Sequence, residues 1–115
     1  MVEISEENFE ELVSEALDAL PEDMVGGLDN VVFMLEDRNE DGQELLGLYE
    51  GFAVTDRGEY GYGEMPDRII IYREAHAKIC ATLSELREEV HVTLVHEIAH
   101  YYGIDDDRLH DLGWG

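Results

Sequence analysis

The sequence predicts an α+β fold, on three observations. Apolar residues recur at helical spacing near the start, four short runs of strand formers occupy the middle, and helical periodicity returns for the last third. A chain of 115 residues with 44% apolar content has room for one hydrophobic core, so a single domain spanning 1–115 is expected.

The first helix is read from Phe9, Leu12, Val13, Ala16, Leu17 and Leu20, which repeat every three or four residues behind Ser5 as cap, with Pro21 closing the segment. Val31 to Leu35 is a run of strand formers stopped by the turn-prone Asn39-Glu40-Asp41-Gly42. Leu45 to Tyr49 follows after a short loop and is expected to pair with that strand as a hairpin. Phe52 to Thr55 reads as a short further strand. From Asp56 to Pro66 the chain is rich in glycine and tyrosine and reads as a loop, with Tyr60 and Tyr62 as candidate cleft residues. Arg68 to Tyr72 is apolar nearly throughout and should be the central strand. Helical spacing then puts His76, Ile79, Cys80 and Leu83 on one stripe, where His76 is expected to sit at the edge of the core. Thr82-Leu83-Ser84-Glu85 has the form of a capping box. The helix it opens keeps an apolar face through Leu86, Val90, Leu94, Ile98 and Tyr101 as far as Gly103.

Seven Lys and Arg against 29 Asp and Glu give a net charge of −22. Such a field repels phosphate backbones and anionic lipid, so neither nucleic acid nor membrane is an expected partner. Cys80 is the only cysteine, which excludes an intrachain disulfide. Its apolar neighbours suggest a packed thiol in a reducing compartment. Neither a signal peptide nor a segment of membrane-spanning length is read, and a cytoplasmic location is expected.

The chemistry is concentrated in His96-Glu97-Ile98-Ala99-His100, which matches H-E-x-x-H. Residues four apart on a helix share one face, one turn apart in height, so both imidazoles can reach a common ion. Zinc is the ion such nitrogens suit, and it lowers the pKa of a bound water. Glu97 is placed to collect that water's proton as general base. Chance matches to the motif alone should number about 0.03 in a chain of this composition, and about 0.0003 once Gly103 and Asp106 are required at their offsets. Two histidines leave a third ligand to be found. Gly103 can turn the chain back in a left-handed conformation. Asp106 has the favoured spacing for that ligand, with Asp105, Asp107 and His110 as competitors. His91, five residues before His96, reads as a surface or packing residue.

With its Leu112-Gly113-Trp114 tail, the run His96-Glu97-x-x-His100-x-x-Gly103-x-x-Asp106 resembles the small bacterial zincin-like metallopeptidases, the minimal zincins. The likeness extends upstream through Leu46-Gly47-Leu48-Tyr49-Glu50-Gly51 and Pro66-Asp67-Arg68-Ile69. It implies a compact α+β domain with a small mixed sheet of three to four strands against the active-site helix, and zinc held by His96, His100 and Asp106. The motif also resembles that of metzincins, in which the third ligand is usually His and a methionine turn lies beneath the metal. Here an Asp stands at that position and all four methionines precede the motif. Leu112 and Trp114 are expected to pack the C-terminal segment, with flooring of the site as their alternative role.

The leading expectation is a zinc-dependent peptide hydrolase acting on a peptide or protein, its cleft completed by a partner chain where the chain itself is too short. Tyr101, Tyr102, Tyr60, Tyr62, His110 and Arg68 are the candidate donors to a developing oxyanion. The alternative is a zinc-binding or protein-interaction module without turnover. A metal-dependent ribonuclease is disfavoured by Glu97 and by the charge, and a nucleic-acid mimic would explain the charge but not the motif.

Overall fold

A computed structural model describes residues 1–51 and 66–104 of the chain. Among the described residues four helices and three strands follow in the order α1 (Glu6–Asp18), α2 (Glu22–Gly26), β1 (Val31–Glu36), β2 (Gly47–Glu50), β3 (Asp67–Tyr72), α3 (Arg73–Ile79) and α4 (Leu83–Tyr101). Helices and a mixed three-stranded sheet make an α+β fold, the expected class.

The sheet corrects the expected hairpin. Its order is β1-β3-β2, with β3 in the centre, parallel to β1 and antiparallel to β2. The segment holding Leu45 to Tyr49 therefore pairs with β3 and not with β1, and its strand begins at Gly47. The physical reason lies in β3: Ile69, Ile70 and Ile71 are all buried, and a strand apolar on both faces is best placed between two neighbours. Register then sorts the side chains. Phe33 lies opposite Ile69 and Leu35 opposite Ile71, while Gly47 and Tyr49 oppose Ile71 and Ile69 from the other side. These residues share one face, because strand side chains alternate. The core on that face is completed by Phe9, Leu12 and Val13 of α1 and by Leu86, Val90, Leu94 and Ile98 of α4.

Local chemistry explains the helix ends. Ser5 Oγ accepts from Asn8 N at 3.1 Å and caps α1. Pro21 does close the first helical segment, but it also opens the short α2, which the periodicity does not reveal. Thr82 Oγ1 accepts from Glu85 N at 3.1 Å, and the Glu85 carboxylate reaches back to Ala81 N at 2.8 Å, so the capping box forms at the start of α4. Cys80 is buried, and burial is the main cause that pushes its thiol pKa up, as suits a packed, inert sulfur. Ile79 and Leu83 depart from the expected stripe and are 57% and 50% exposed. The helix ends at Ile79 and Cys80 is extended (φ −106°, ψ 138°), so the helical phase is lost between them.

The expected strand Phe52 to Thr55, the following loop with Tyr60 and Tyr62, and everything from Asp105 onward lie outside the described residues.

Candidate metal centre

His96, Glu97 and His100 sit on the last two turns of α4, each half-buried. The helix is held against β2, β3, α1 and α3, and Leu94, Val95, Ile98 and Ala99, interleaved with the three polar residues, are buried. This interleaving sets three half-buried polar side chains beside the buried apolar face of the helix. His91 is exposed, as a surface residue should be.

The helix ends in a Schellman motif. Gly103 adopts φ 81°, Gly103 N donates to His100 O at 3.0 Å, and Ile104 N donates to Ala99 O at 2.9 Å. Only glycine takes such a conformation without steric cost, so the expected left-handed exit is present. Where the chain goes next bears on Asp106, Asp105, Asp107 and His110, which fall outside the described residues together with Leu112 and Trp114. Among the described residues no three His, Cys, Asp or Glu side chains converge as a complete ligand set.

One atom nevertheless fits a cation. His96 Nε2 is shut off from solvent and has no hydrogen-bond partner among the described residues. A buried ring nitrogen left unpaired costs about 1–3 kcal/mol. A bound metal removes that cost, since neutral imidazole nitrogen is a common metal donor. His100 stands one turn further along the same helix, where its ring can meet the same ion. The donor set present therefore suits zinc.

Several candidate oxyanion donors are engaged elsewhere. Tyr101 is buried and its hydroxyl accepts from Asp29 N at 3.1 Å. Tyr102 donates its hydroxyl to Met24 O at 2.7 Å, and burial raises its pKa, which keeps that proton in place. Both hydroxyls thus tie the end of α4 to α2 and the turn before β1. Arg68 is exposed and pairs with Glu50 at 2.9 Å across β3 and β2.

Two polar arrangements escape the sequence reading. His76 is not at the core edge but completely buried, with Nδ1 2.7 Å from Tyr72 O and Nε2 2.8 Å from Thr93 Oγ1. Desolvation is the main cause that lowers its pKa. Asp67, buried at the start of β3, accepts from the Tyr49 hydroxyl at 2.6 Å. An Asp opening an apolar strand was the available signal for the second. For the first, an apolar stripe shows that His76 turns inward but not what it meets.

A family model described as zincin-like metallopeptidase matches residues 28–114. The chain belongs to the zincin-like metallopeptidases. The match takes in β1 through α4 and leaves α1 and α2 outside it, so the zincin-like region includes the sheet, α3 and the motif helix. Among solved structures, this zincin-like chain is similar to a conserved hypothetical protein from Thermo thermophilus. The two share 26% identity over 95% of this chain and 97% of that one, with a TM-score of 0.62. No curated protein sequence matches. No helix among the described residues is long and apolar enough to cross a membrane.

Proposed function

We propose that this zincin-like protein is a zinc-dependent peptide hydrolase in which His96 and His100 hold the metal, Asp106 completes the ligand set, and Glu97 is the general base. The observation that carries the reading is the buried, unpaired Nε2 of His96 on the helix that also carries His100 and Glu97. Bound there, zinc supplies Lewis-acid polarisation of a carbonyl and lowers the pKa of water. The Glu97 carboxylate takes the proton of the attacking water and passes it to the departing amine nitrogen, so one side chain serves both halves of the reaction. Proton transfer by a placed side chain contributes about 10²- to 10⁴-fold in rate, so Glu97→Gln should cost that much while leaving zinc bound.

The test compares wild type with Glu97→Gln on a peptide library, beside metal analysis of His100→Ala and Asp106→Ala. Equal cleavage by wild type and Glu97→Gln overturns the mechanism. Zinc retained in Asp106→Ala moves the third ligand to Asp105, Asp107 or His110. A peptide or protein is the proposed substrate, with a partner chain completing the cleft. Full zinc occupancy without cleavage of any peptide would favour a zinc-binding interaction module that keeps the fold.

A further inference from the structure

Gly47 opens β2 at the point where the strand crosses α4. A Cβ there would lie 2.6 Å from Thr93 Cγ2, 3.2 Å from Glu97 Cγ and 3.2 Å from the carbonyl oxygen of Ile70. The first distance is far inside the optimal carbon–carbon separation of about 3.5–4.0 Å, so a Cβ at 47 would force something to shift. The backbone of Gly47 has no positive φ that would itself demand glycine. What demands it is the closeness of the strand to Thr93 and Glu97.

Thr93 cannot easily give way. Its Oγ1 is 2.9 Å from Glu89 O and 2.8 Å from His76 Nε2. Those contacts hold the hydroxyl toward α3 and back along the helix, and a β-branched side chain with its oxygen fixed has its methyl fixed as well. His76 is anchored in turn by Tyr72 O at the junction of β3 and α3. A buried chain of contacts therefore runs from the end of the central strand through His76 to the Thr93 methyl, which meets β2 beside the γ-methylene of Glu97.

We propose that Gly47, Thr93 and His76 form a positioning unit that sets the Glu97 side chain. Gly47 supplies the slot, the Thr93 methyl fills it, and His76 locks the threonine rotamer. Glu97 is left with a γ-carbon bounded by a strand backbone on one side and a fixed methyl one helical turn away. None of the three belongs to the set proposed to hold the metal or move the proton, so they act as positioning residues. The proposal rests on Glu97 being the general base for its catalytic consequence, but not for its structural content.

The experiment is a double-variant cycle on the zinc-loaded protein: wild type, Gly47→Ala, Thr93→Ser and Gly47→Ala/Thr93→Ser. Serine keeps the hydroxyl that bonds His76 and removes the methyl that an alanine at 47 would strike. Gly47→Ala should lower kcat by about ten- to a hundredfold, the scale of a misplacement near 1 Å, with KM and zinc affinity by chelator competition held within about threefold. The double variant should regain most of that loss, since two residues in contact are not additive. In parallel, the side-chain carboxyl ¹³C resonance of Glu97 should move in Gly47→Ala and return in the double variant. Wild-type kcat in Gly47→Ala, a double variant no better than Gly47→Ala, or a rise in KM alone overturns the proposal. Failure of the hydrolase reading is separate: Glu97→Gln would then cleave like wild type, and the carboxyl resonance by itself would decide the positioning unit.

Discussion

Thr93→Val removes one hydroxyl from the centre of the molecule and tests how much the buried His76 contact contributes to stability. Tyr72 O can only accept, so Nδ1 of His76 must carry the proton in that 2.7 Å contact. Burial lowers the His76 pKa, so the ring is neutral at pH 7.5 and Nε2 is an acceptor. The Thr93 hydroxyl must then donate to Nε2 at 2.8 Å, although Glu89 O is within reach at 2.9 Å. Valine keeps the shape and the methyl facing Gly47 but leaves Nε2 unpaired in a residue with no solvent exposure. An orphaned buried acceptor costs about 1–3 kcal/mol. The additional buried methyl returns up to about 0.8 kcal/mol. Taking the middle of the first range, about 2 less about 0.8 leaves a net loss near 1 kcal/mol, which for a chain of this length is a fall in Tm of about 4–5 °C. Calorimetry at pH 7.5 on both proteins, with chelator present so that metal binding does not contribute, gives the answer. A Tm unchanged to within about 1 °C would refute the assignment of that hydrogen bond.

Acidification should act through the same histidine: because the folded pKa lies below the unfolded value of 6.5, its stabilising contribution is complete above about pH 6.5 and is lost as pH falls toward the folded pKa. The slope from this one group is at most about 1.4 kcal/mol per pH unit, and the difference in denaturant stability between wild type and His76→Phe from pH 7.5 to 5 should carry it; equal slopes would dismiss it. Tyr101→Phe and Tyr102→Phe should each lose about 0.5–1.5 kcal/mol in urea titrations, because each hydroxyl serves the backbone of the α2–β1 region. Their kcat should stay near wild type, and a hundredfold loss in either would restore that tyrosine as an oxyanion donor. Zinc at a hundredfold excess over its Kd should stabilise the protein by about 2.7 kcal/mol, and His96→Ala should abolish the increase in Tm while melting close to wild type without metal.

How much of this was legible in the residues differs by element. Helix α4 was, because its signals are local: the capping box at Thr82 and Glu85, the apolar repeat from Leu86 to Tyr101, and Gly103 with its left-handed exit are each read within a few positions. So was the central place of β3, whose apolar run needs cover on both sides. Strand pairing was not. A short loop with a glycine favours a hairpin on local grounds, and nothing local in Val31–Glu36 or Gly47–Glu50 says that a third strand will come between them. The apolar character of Ile69 to Ile71 held the corrective clue, since a strand buried on both faces competes best for the middle of the sheet. His76 and Gly47 were illegible for a different reason. Their roles depend on Thr93, which is 17 positions from His76 and 46 from Gly47, and such a meeting exists only after the sheet order is known.

The fixed points of α4 bracket its chemistry. Before the motif, Thr93 is bonded to α3 through His76 and filled into the slot at Gly47. After it, Tyr101 and Tyr102 are bonded to Asp29 N and Met24 O. Between these points Leu94, Val95, Ile98 and Ala99 are buried. A helix secured by apolar contacts alone can slide or rotate slightly at little cost, whereas hydrogen bonds at both ends of a two-turn segment define its rotation and its height together. A catalytic constellation needs its groups held to within about 0.5 Å by supporting residues. Buried polar groups carry a desolvation cost that apolar residues of the same shape would avoid. Their placement just before His96 and just after His100 is thus best understood as positional: they fix the rotation and height of the segment that carries His96, Glu97 and His100 against β2.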